Sequence, residues 1–388
     1  MVFSRHNDAT RVTQSPENLN CKPWIRYLMV FSRHNETMRV RLSEIKGQLE
    51  ICQRFLSGYL DAKRSTFPRL YFASDTVLLE ALSQNADINS MSHLLMTLFD
   101  NVVSLDLDKR RQTYTSLRSA EGEVVRLGQE LPSNMGVEHL LCTIETEMHS
   151  TVQMHMGDVS QRGIDMLEAD NLDALVDEFP CQICIMGFQF YWSHGCLQAM
   201  GMGGSDDKQS LQSMLKRIGS FLDLLVAKLQ VVKGRNTVVS LVQLLIQQRD
   251  LTGYLAAKKV REASSFDWFR QIRFSWDYSA QECEVRVGSY RELHGYEYVG
   301  QRQRLVAGPQ NSLQFMFIAQ ALRSKAFTAV TGPSGAGKTE LIKDFGRSMG
   351  QFVINFNCSA EITSAAFSGI FCGICQSGAW GVLDEPGR

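Results

Sequence analysis

The feature that most limits the possible folds of this chain is one short segment, Gly332-Pro-Ser-Gly-Ala-Gly-Lys-Thr339. It fits the pattern G-x-x-x-x-G-K-[ST]. The apolar run Ala326-Phe-Thr-Ala-Val330 before it favours a strand, and residues 339–349 after it have helical periodicity that stops at Gly350. A strand, a glycine-rich turn and a helix in this order are the context in which the pattern binds phosphate groups. A chance glycine-rich turn, the alternative interpretation, does not account for both flanking elements.

Short apolar runs and helical patterns continue to alternate through the rest of the chain after residue 295. Further strands are predicted at residues 351–356 and 379–383, with a helix at 365–375 between them. Strand, helix, strand, helix, strand is the order typical of a parallel α/β sheet. Residues 295–388 are therefore predicted to form an α/β P-loop domain, incomplete at three strands.

The P-loop supplies groups that a nucleoside triphosphate needs. Its backbone N–H groups and the positive end of the following helix are expected to surround the phosphates. The loop residues are Gly332, Pro333, Ser334, Gly335, Ala336 and Gly337. Lys338 is expected to bind the β- and γ-phosphates, and the Thr339 hydroxyl to ligate Mg²⁺. ATP and Mg²⁺ are therefore the predicted cofactors.

A second acidic motif follows at Trp380-Gly-Val-Leu-Asp-Glu385, where an apolar run ends in two carboxylates. Asp384 is predicted to bind Mg²⁺ and Glu385 to act as the general base on the attacking water. Taken alone, such a run is more often a strand that enters a solvated turn. Asn357, after the middle strand, either faces the same cleft and orients Glu385 or simply ends the strand as a turn residue.

From about residue 40 to residue 290 the periodicity is mainly helical, and residues 45–294 are predicted to form a long array of helices. Leu42, Ile45, Leu49 and Cys52, for example, recur at spacings of three and four, which predicts a core-facing stripe. The aromatic stretch 266–276 is interpreted as a helix packing seam.

Two C-x-x-C pairs lie in apolar surroundings, at Cys181 with Cys184 and at Cys372 with Cys375. The separation between the pairs fits no zinc ribbon or finger. All four cysteines are therefore predicted to be buried and to act as small hydrophobic residues.

The composition limits the class of protein. Lys and Arg number 40 against 41 Asp and Glu, so no basic excess points to nucleic acid as a partner. Gln182 and Gln189 interrupt the most apolar stretch, 179–192, and neither a membrane segment nor a signal peptide is predicted. The scattered cysteines favour a reducing cytoplasmic compartment.

The N-terminal segment Met1-Val-Phe-Ser-Arg-His-Asn recurs from Met29. Two copies do not make a repeat protein, so a local duplication or an assembly artefact in the coding sequence is favoured. Residues 1–44 are predicted to be a poorly defined segment.

Several strings, in order and spacing, resemble the dynein heavy chain family. Those that resemble its linker domain are Phe67-Pro-Arg-Leu-Tyr-Phe72, Ser119-Ala-Glu-Gly-Glu123, Glu178-Phe-Pro180 and residues 266–276. Those that resemble the start of its first AAA+ module are Tyr296-Glu-Tyr-Val-Gly300, Arg304-Leu-Val306, Gln320-Ala-Leu322, the P-loop with Glu340, Phe356-Asn-Cys-Ser359 and Gln376-Ser-Gly-Ala-Trp-Gly-Val-Leu-Asp-Glu385. The resemblance covers residues 45–385, and the linker strings look axonemal rather than cytoplasmic.

The resemblance implies a helical linker over residues 45–294 and a truncated AAA+ module over 295–388. ATP hydrolysis in that module would drive linker movement in a microtubule motor, with dynein intermediate and light chains as partners. Leu305 and Val306 would belong to the adenine pocket. The implied location is the cytoplasm and cytoskeleton, in the axoneme of a cilium or flagellum.

The sequence departs from the family at Pro386-Gly-Arg388, where Phe-Asn-Arg is usual, and at residues 307–312, where a Thr-Pro-rich turn is usual. The sensor residues and a neighbouring module's arginine are not in the chain, so motor activity is not expected from it alone. Two other functions remain open. They are a non-catalytic scaffold derived from the linker and a free-standing P-loop ATPase, against which the open edges of a three-stranded sheet argue.

Overall fold

A computed structural model describes residues 36–83, 91–201, 210–229, 235–301, 311–358 and 363–385. The chain divides into two compact units, residues 1–62 and residues 63–388. Most of the duplicated N-terminal segment lies outside the described residues. The described part of the first unit belongs to a single helix, α1 (Glu36–Thr66).

The apolar stripe of α1 lies at the surface rather than in a core. Leu42, Ile45 and Leu49 are between 51% and 64% exposed, and Cys52 is exposed as well. The helix was predicted correctly, but the predicted burial of its stripe was wrong. Spacing of three and four places side chains on one face of a helix, but it does not determine what that face contacts.

Residues 63–293 of the second unit combine helices with two small antiparallel sheets. The helices are α2 (Asp75–Ser83), α3 (Ser92–Leu98), α4 (Val137–Asp158), α5 (Ile164–Glu168), α6 (Leu172–Glu178), α7 (Cys181–Gly201), α8 (Leu211–Lys228), α9 (Arg235–Ala257) and α10 (Phe266–Phe269). The strands are β1 (Ser104–Asp108), β2 (Thr113–Arg118), β3 (Val124–Pro132), β4 (Ile272–Asp277), β5 (Glu282–Val287) and β6 (Tyr290–Leu293). A 3₁₀ turn (Pro68–Phe72) follows α1, and a π-helical turn (Val159–Gly163) follows α4.

The two antiparallel sheets, β1-β2-β3 and β4-β5-β6, were not predicted from the sequence. The aromatic stretch assigned to a helix seam holds only the single turn α10 before it becomes strand β4. The period of two was readable in β5, where Cys283, Val285 and Val287 are all buried. The alternation was missed because it is short and the segments on either side have helical periodicity.

Helix α7 forms the centre of the helical region and is buried along most of its length. Helices α8 and α9 pack against each other and against α7. Trp192 on α7 donates its indole N–H to Thr252 Oγ1 on α9 at 2.9 Å, so this buried indole nitrogen has a partner. No helix among the described residues is long and apolar enough to cross a membrane.

The two C-x-x-C pairs differ in burial. Cys181 and Cys184 are buried, as predicted, and burial raises the pKa of the Cys181 thiol to about 12. Cys372 and Cys375 are exposed, so that prediction was wrong. The helix that carries these two cysteines packs against the 3₁₀ turn at Gly373, where a Cβ would collide with aromatic side chains of the turn. Only the face of the helix with Gly373 is therefore buried.

The α/β part comprises α11 (Asn311–Arg323), α12 (Lys338–Ser348), β7 (Val353–Asn357), α13 (Ser364–Ser377) and β8 (Trp380–Asp384). Strands β7 and β8 are parallel and pair from Val353 with Trp380 to Asn357 with Asp384. A mainly helical region followed by an α/β region with a parallel sheet confirms the predicted fold class. The exact domain boundaries at residues 44 and 294 stay a prediction.

The strand predicted at residues 326–330 is not a strand in the structure. A strand needs a neighbour that accepts and donates its backbone hydrogen bonds. Among the described residues β7 and β8 pair with each other, and segment 326–330 has no neighbouring strand. Phe327, in this segment, is 97% exposed.

The α/β part joins the helical region through a close contact between two backbone segments. The N–H groups of Gly295 and Glu297 donate to the carbonyls of Met349 and Gly350, both at 2.9 Å. A Cβ on Gly295 would lie 2.4 Å from the Gly350 oxygen. Glycine is therefore required where the chain passes the end of α12.

Replacing Gly350 with alanine is expected to lower the free energy of unfolding by about 2–4 kcal/mol. Gly350 has φ +66°, and a Cβ there would lie 2.1 Å from the buried His294 ring. Gly378→Ala is the matched control, because Gly378 has φ +71° but open space around the Cβ position. Urea unfolding should show that the free energy of unfolding falls by only about 1 kcal/mol in Gly378→Ala, because this substitution introduces backbone strain without a clash. Equal losses in both variants would contradict the proposed clash with His294.

Candidate nucleotide-binding site

Two glycines give the P-loop its shape at the start of α12. Gly335 and Gly337 both have φ +76°, a left-handed conformation that strains other residues. Gly337 is the N-cap of α12, so the chain turns sharply into the helix. Lys338 and Thr339 therefore lie in the first helical turn, where N–H groups and the helix dipole favour an anion.

Lys338 lies along the loop that precedes it. Its Nζ donates to the carbonyls of Gly332 at 3.0 Å and Pro333 at 2.7 Å. A Cβ on Gly332 would lie 3.6 Å from the Lys338 side-chain carbon Cδ, in ordinary contact. The ammonium group is thus held within the glycine-rich loop.

Thr339 and Asp384 come together although 45 residues separate them. The Thr339 hydroxyl donates to Asp384 Oδ2 at 3.0 Å. Asp384 ends β8, whose pairing with β7 fixes the position of that end, and its carbonyl accepts from the Cys358 N–H at 2.9 Å. Hydroxyl and carboxylate oxygens are the ligands that Mg²⁺ prefers. The chemistry of this pair therefore fits the predicted metal.

The other predicted site residues lie at the same end of the sheet or outside the described residues. Glu385 is exposed, follows Asp384 directly and has φ +51°. Asn357 pairs with Asp384 in the strand register, and its Oδ1 accepts from Asn355 at 3.3 Å. Its role in orienting Glu385 stays a prediction. Leu305 and Val306, predicted for the adenine pocket, lie outside the described residues.

Aromatic packing supports the helix that carries the site. Phe345 on α12 is fully buried and stacks on Phe315 of α11 with ring centres 5.1 Å apart and planes at 15°. On its other side it contacts Trp380 at the start of β8, at 5.9 Å between centres. The same packing therefore positions α12, which carries Thr339, and β8, which carries Asp384.

A buried ionic cluster, which the sequence did not predict, lies where the helical region meets the α/β part. Arg69 makes a bidentate pair with Glu297, with N···O distances of 2.9 and 2.7 Å. Arg69 also contacts Glu145 at 2.7 Å, and His149 Nε2 lies 3.2 Å from Glu297. The guanidinium carbon of Arg69 lies 4.3 Å from the Phe352 ring centre, just before β7. We call these five residues the Arg69 cluster.

Electrostatic attraction holds Glu297 and Arg69 in their charged forms. Burial alone would raise the pKa of Glu297, but Arg69 and His149 outweigh burial and lower that pKa to about 2. Burial would lower the pKa of Arg69, but Glu297 and Glu145 outweigh it and raise that pKa. Arg69 and Glu297 are separated by 228 residues, so no local sequence pattern indicated this pair.

Comparison with known protein families gives two matches. The model described as "Dynein heavy chain, N-terminal region 2" matches residues 11–159. The model described as "Hydrolytic ATP binding site of dynein motor region" matches residues 294–388. The second match contains the P-loop, Asp384 and Glu385.

Three similar curated proteins are dynein heavy chains. Dynein axonemal heavy chain 5 of Rattus norvegicus is 31% identical over 355 residues, which cover 89% of this chain and 10% of the relative. The Dynein-1-beta heavy chain, flagellar inner arm I1 complex, of Chlamydomonas reinhardtii is 32% identical over 355 residues, 89% of this chain and 8% of the relative. The cytoplasmic dynein heavy chain of Caenorhabditis elegans is 29% identical over 357 residues, again 89% and 8%.

Proposed function

The chain belongs to the dynein heavy chain family, and from this premise we propose that its P-loop site binds Mg-ATP and supplies hydrolysis that moves the helical region in a microtubule motor. The chain spans a tenth or less of the length of the relatives compared above. Motor activity is therefore proposed for a longer heavy chain and not for this chain alone. Family membership also argues against a free-standing P-loop enzyme.

The observation that carries this proposal is the contact between Thr339 Oγ1 and Asp384 Oδ2 at 3.0 Å. It brings the end of the P-loop and the end of β8 to one point, as a site that binds a nucleotide with its metal requires. Separate elements position the two oxygens, since α12 carries Thr339 and β8 carries Asp384.

The residues of the site have distinct proposed roles. Lys338 and the backbone N–H groups of the first turn of α12 bind the phosphates and offset their negative charge. Thr339 and Asp384 would hold Mg²⁺, which when bound supplies positive charge beside the phosphates. Glu385 accepts a proton from the attacking water. Asn357 orients the Glu385 carboxylate.

The cellular setting is proposed from the relatives. Several are named as axonemal, ciliary or flagellar dyneins, which supports a location on the cytoskeleton of a cilium or flagellum. A cytoplasmic dynein heavy chain is nearly as similar, at 29% identity. We assign this chain to the axonemal class because more of the compared relatives are named as axonemal, ciliary or flagellar dyneins. Microtubules and dynein intermediate and light chains are the proposed partners.

Replacing Asp384 with asparagine is expected to weaken Mg-ATP binding by about 10–100-fold, as loss of a metal-supporting carboxylate does. The amide keeps the shape of the side chain but removes its charge. Affinity for ATP in EDTA should stay the same or rise, because a negative charge near the phosphates is lost. Titration of the purified chain with a fluorescent ATP analogue, with and without Mg²⁺, measures both affinities.

Asp223→Asn, on the exposed face of α8, removes an equal charge away from the site and should leave both affinities unchanged. Failure of the wild-type chain to bind ATP under any of these conditions would refute the proposed function. Equal weakening of Asp384→Asn with and without Mg²⁺ would refute the proposed metal role of Asp384.

A further inference from the structure

Helix α12 has the phosphate-binding residues at one end and a partly buried ion pair at the other. Lys338 begins the helix, and Arg347 lies in its last turn, about 13 Å further along the axis at 1.5 Å per residue. Arg347 Nε lies 3.1 Å from Asp100 Oδ2, and its Nη2 lies 3.2 Å from Asp100 Oδ1. The Asp100 side chain is only 5% exposed. Water therefore screens this pair less than it screens a surface pair.

Asp100 belongs to a segment that leads into the first antiparallel sheet. The next residue, Asn101, donates to the carbonyl of Val299 at 3.0 Å. The N–H of Val103 donates to the carbonyl of Arg118 at the end of β2, at 2.9 Å. Three residues of chain and one backbone hydrogen bond therefore connect Asp100 to the edge of the β1-β2-β3 sheet.

The second half of α12, including Arg347, also borders a small cavity next to the helical region. The cavity has a volume of about 70 Å³ and is lined by Asp344, Arg347 and Ser348 of α12, by Ile185 and Met186 of α7, and by Phe274 of β4. Close-packed side chains transmit displacement well, and a cavity transmits it poorly. The Asp100–Arg347 ion pair is a direct polar contact between this last turn and the helical region.

We propose that the Asp100–Arg347 ion pair couples phosphate binding at the start of α12 to the stability of the β1-β2-β3 sheet. This inference rests on the proposed function, because it needs a nucleotide at the P-loop. A bound triphosphate fixes the first turn of α12, and the buried Phe345 anchors the rest of this 11-residue helix. Arg347 then holds Asp100 and the strand that follows it. Both are positioning residues and do not touch the nucleotide.

Hydrogen exchange on the purified chain, with and without saturating Mg-ATP, tests the proposal. In the wild-type chain we expect Mg-ATP to slow amide exchange over residues 94–119 by about fivefold, the lower end of typical couplings between sites. Asp100→Asn and Arg347→Gln should each abolish this slowing while changing ATP affinity by less than about fivefold. The double variant should lose no more of the slowing by Mg-ATP than either single variant does, because both residues act through one contact.

Arg347→Lys is the conservative variant. A lysine keeps the charge but makes a single contact, so partial slowing is expected. Glu340→Gln is the control, since it removes an ion pair with Lys343 at 2.8 Å on the exposed side of the same helix. It should retain the full fivefold effect. A purely structural role would instead alter exchange equally with and without nucleotide.

Two negative results are distinguishable. If the wild-type chain does not bind Mg-ATP, the proposed function and this inference both fail. The wild-type chain could instead bind Mg-ATP without any slowing of amide exchange over residues 94–119. Alternatively, the slowing in Asp100→Asn and Arg347→Gln could be as large as in the wild type. Either result overturns only the inference.

Discussion

Lys338→Ala is expected to weaken ATP binding by the purified chain at least about 100-fold, equivalent to about 2.7 kcal/mol. The ammonium group now donates to the carbonyls of Gly332 and Pro333, which place it inside the loop that receives the phosphates. Charge-assisted hydrogen bonds contribute about 1.5–3 kcal/mol each, so the loss of one or two accounts for this change. Isothermal titration with Mg-ATP measures it.

Lys343→Ala provides the matched control for this prediction. Lys343 lies on the same helix and pairs with the exposed carboxylate of Glu340. Removing it changes the net charge equally but leaves the loop intact, so ATP affinity should change less than about threefold, as expected when a surface ion pair is lost. An affinity in Lys338→Ala within threefold of the wild type would show that the lysine does not bind phosphate here.

Glu297→Gln is expected to lower the free energy of unfolding by about 3–5 kcal/mol at neutral pH. The substitution removes the carboxylate that makes two hydrogen bonds to the buried Arg69 guanidinium. Arg69 would keep Glu145 as a charged partner, but part of its positive charge would be uncompensated in the interior. Urea unfolding followed by circular dichroism measures the loss.

The same carboxylate predicts a dependence of stability on pH. The pKa of Glu297 is about 2 in the folded chain and about 4.3 when unfolded. Its stabilising contribution is therefore complete above about pH 4.3 and is lost as the pH falls toward 2, a difference of about 3 kcal/mol. The gap in unfolding free energy between the wild type and Glu297→Gln should narrow over this range.

Glu130→Gln is the control for the buried pair. Glu130 pairs with Arg111 at 2.9 Å, but both side chains are substantially exposed. Loss of this ion pair should lower the free energy of unfolding by no more than about 1 kcal/mol at any pH, as expected for a surface pair. A similar small loss in Glu297→Gln would show that the Arg69 cluster does not stabilise the fold.

The sequence by itself determined the features that depend on nearby residues. Glycines at 335 and 337 permit the left-handed turn into α12, and residues 339–349 have the periodicity of that helix. Short apolar runs correctly predicted β7 and β8, and the helix between them indicated that the two strands are parallel. Each of these features depends on one continuous stretch of chain, so the sequence predicted where the turn, the helix and the strands lie.

Only the tertiary structure decided which distant groups meet. Asp100 and Arg347 are 247 residues apart, and neither residue stands in a pattern that marks its partner. The stripe of α1 was equally regular in sequence but is exposed, and segment 326–330 has strand-like residues but no neighbouring strand. The physical reason is the same in each case. Periodicity determines which side chains share a face, whereas burial and pairing depend on what the rest of the folded chain brings against that face.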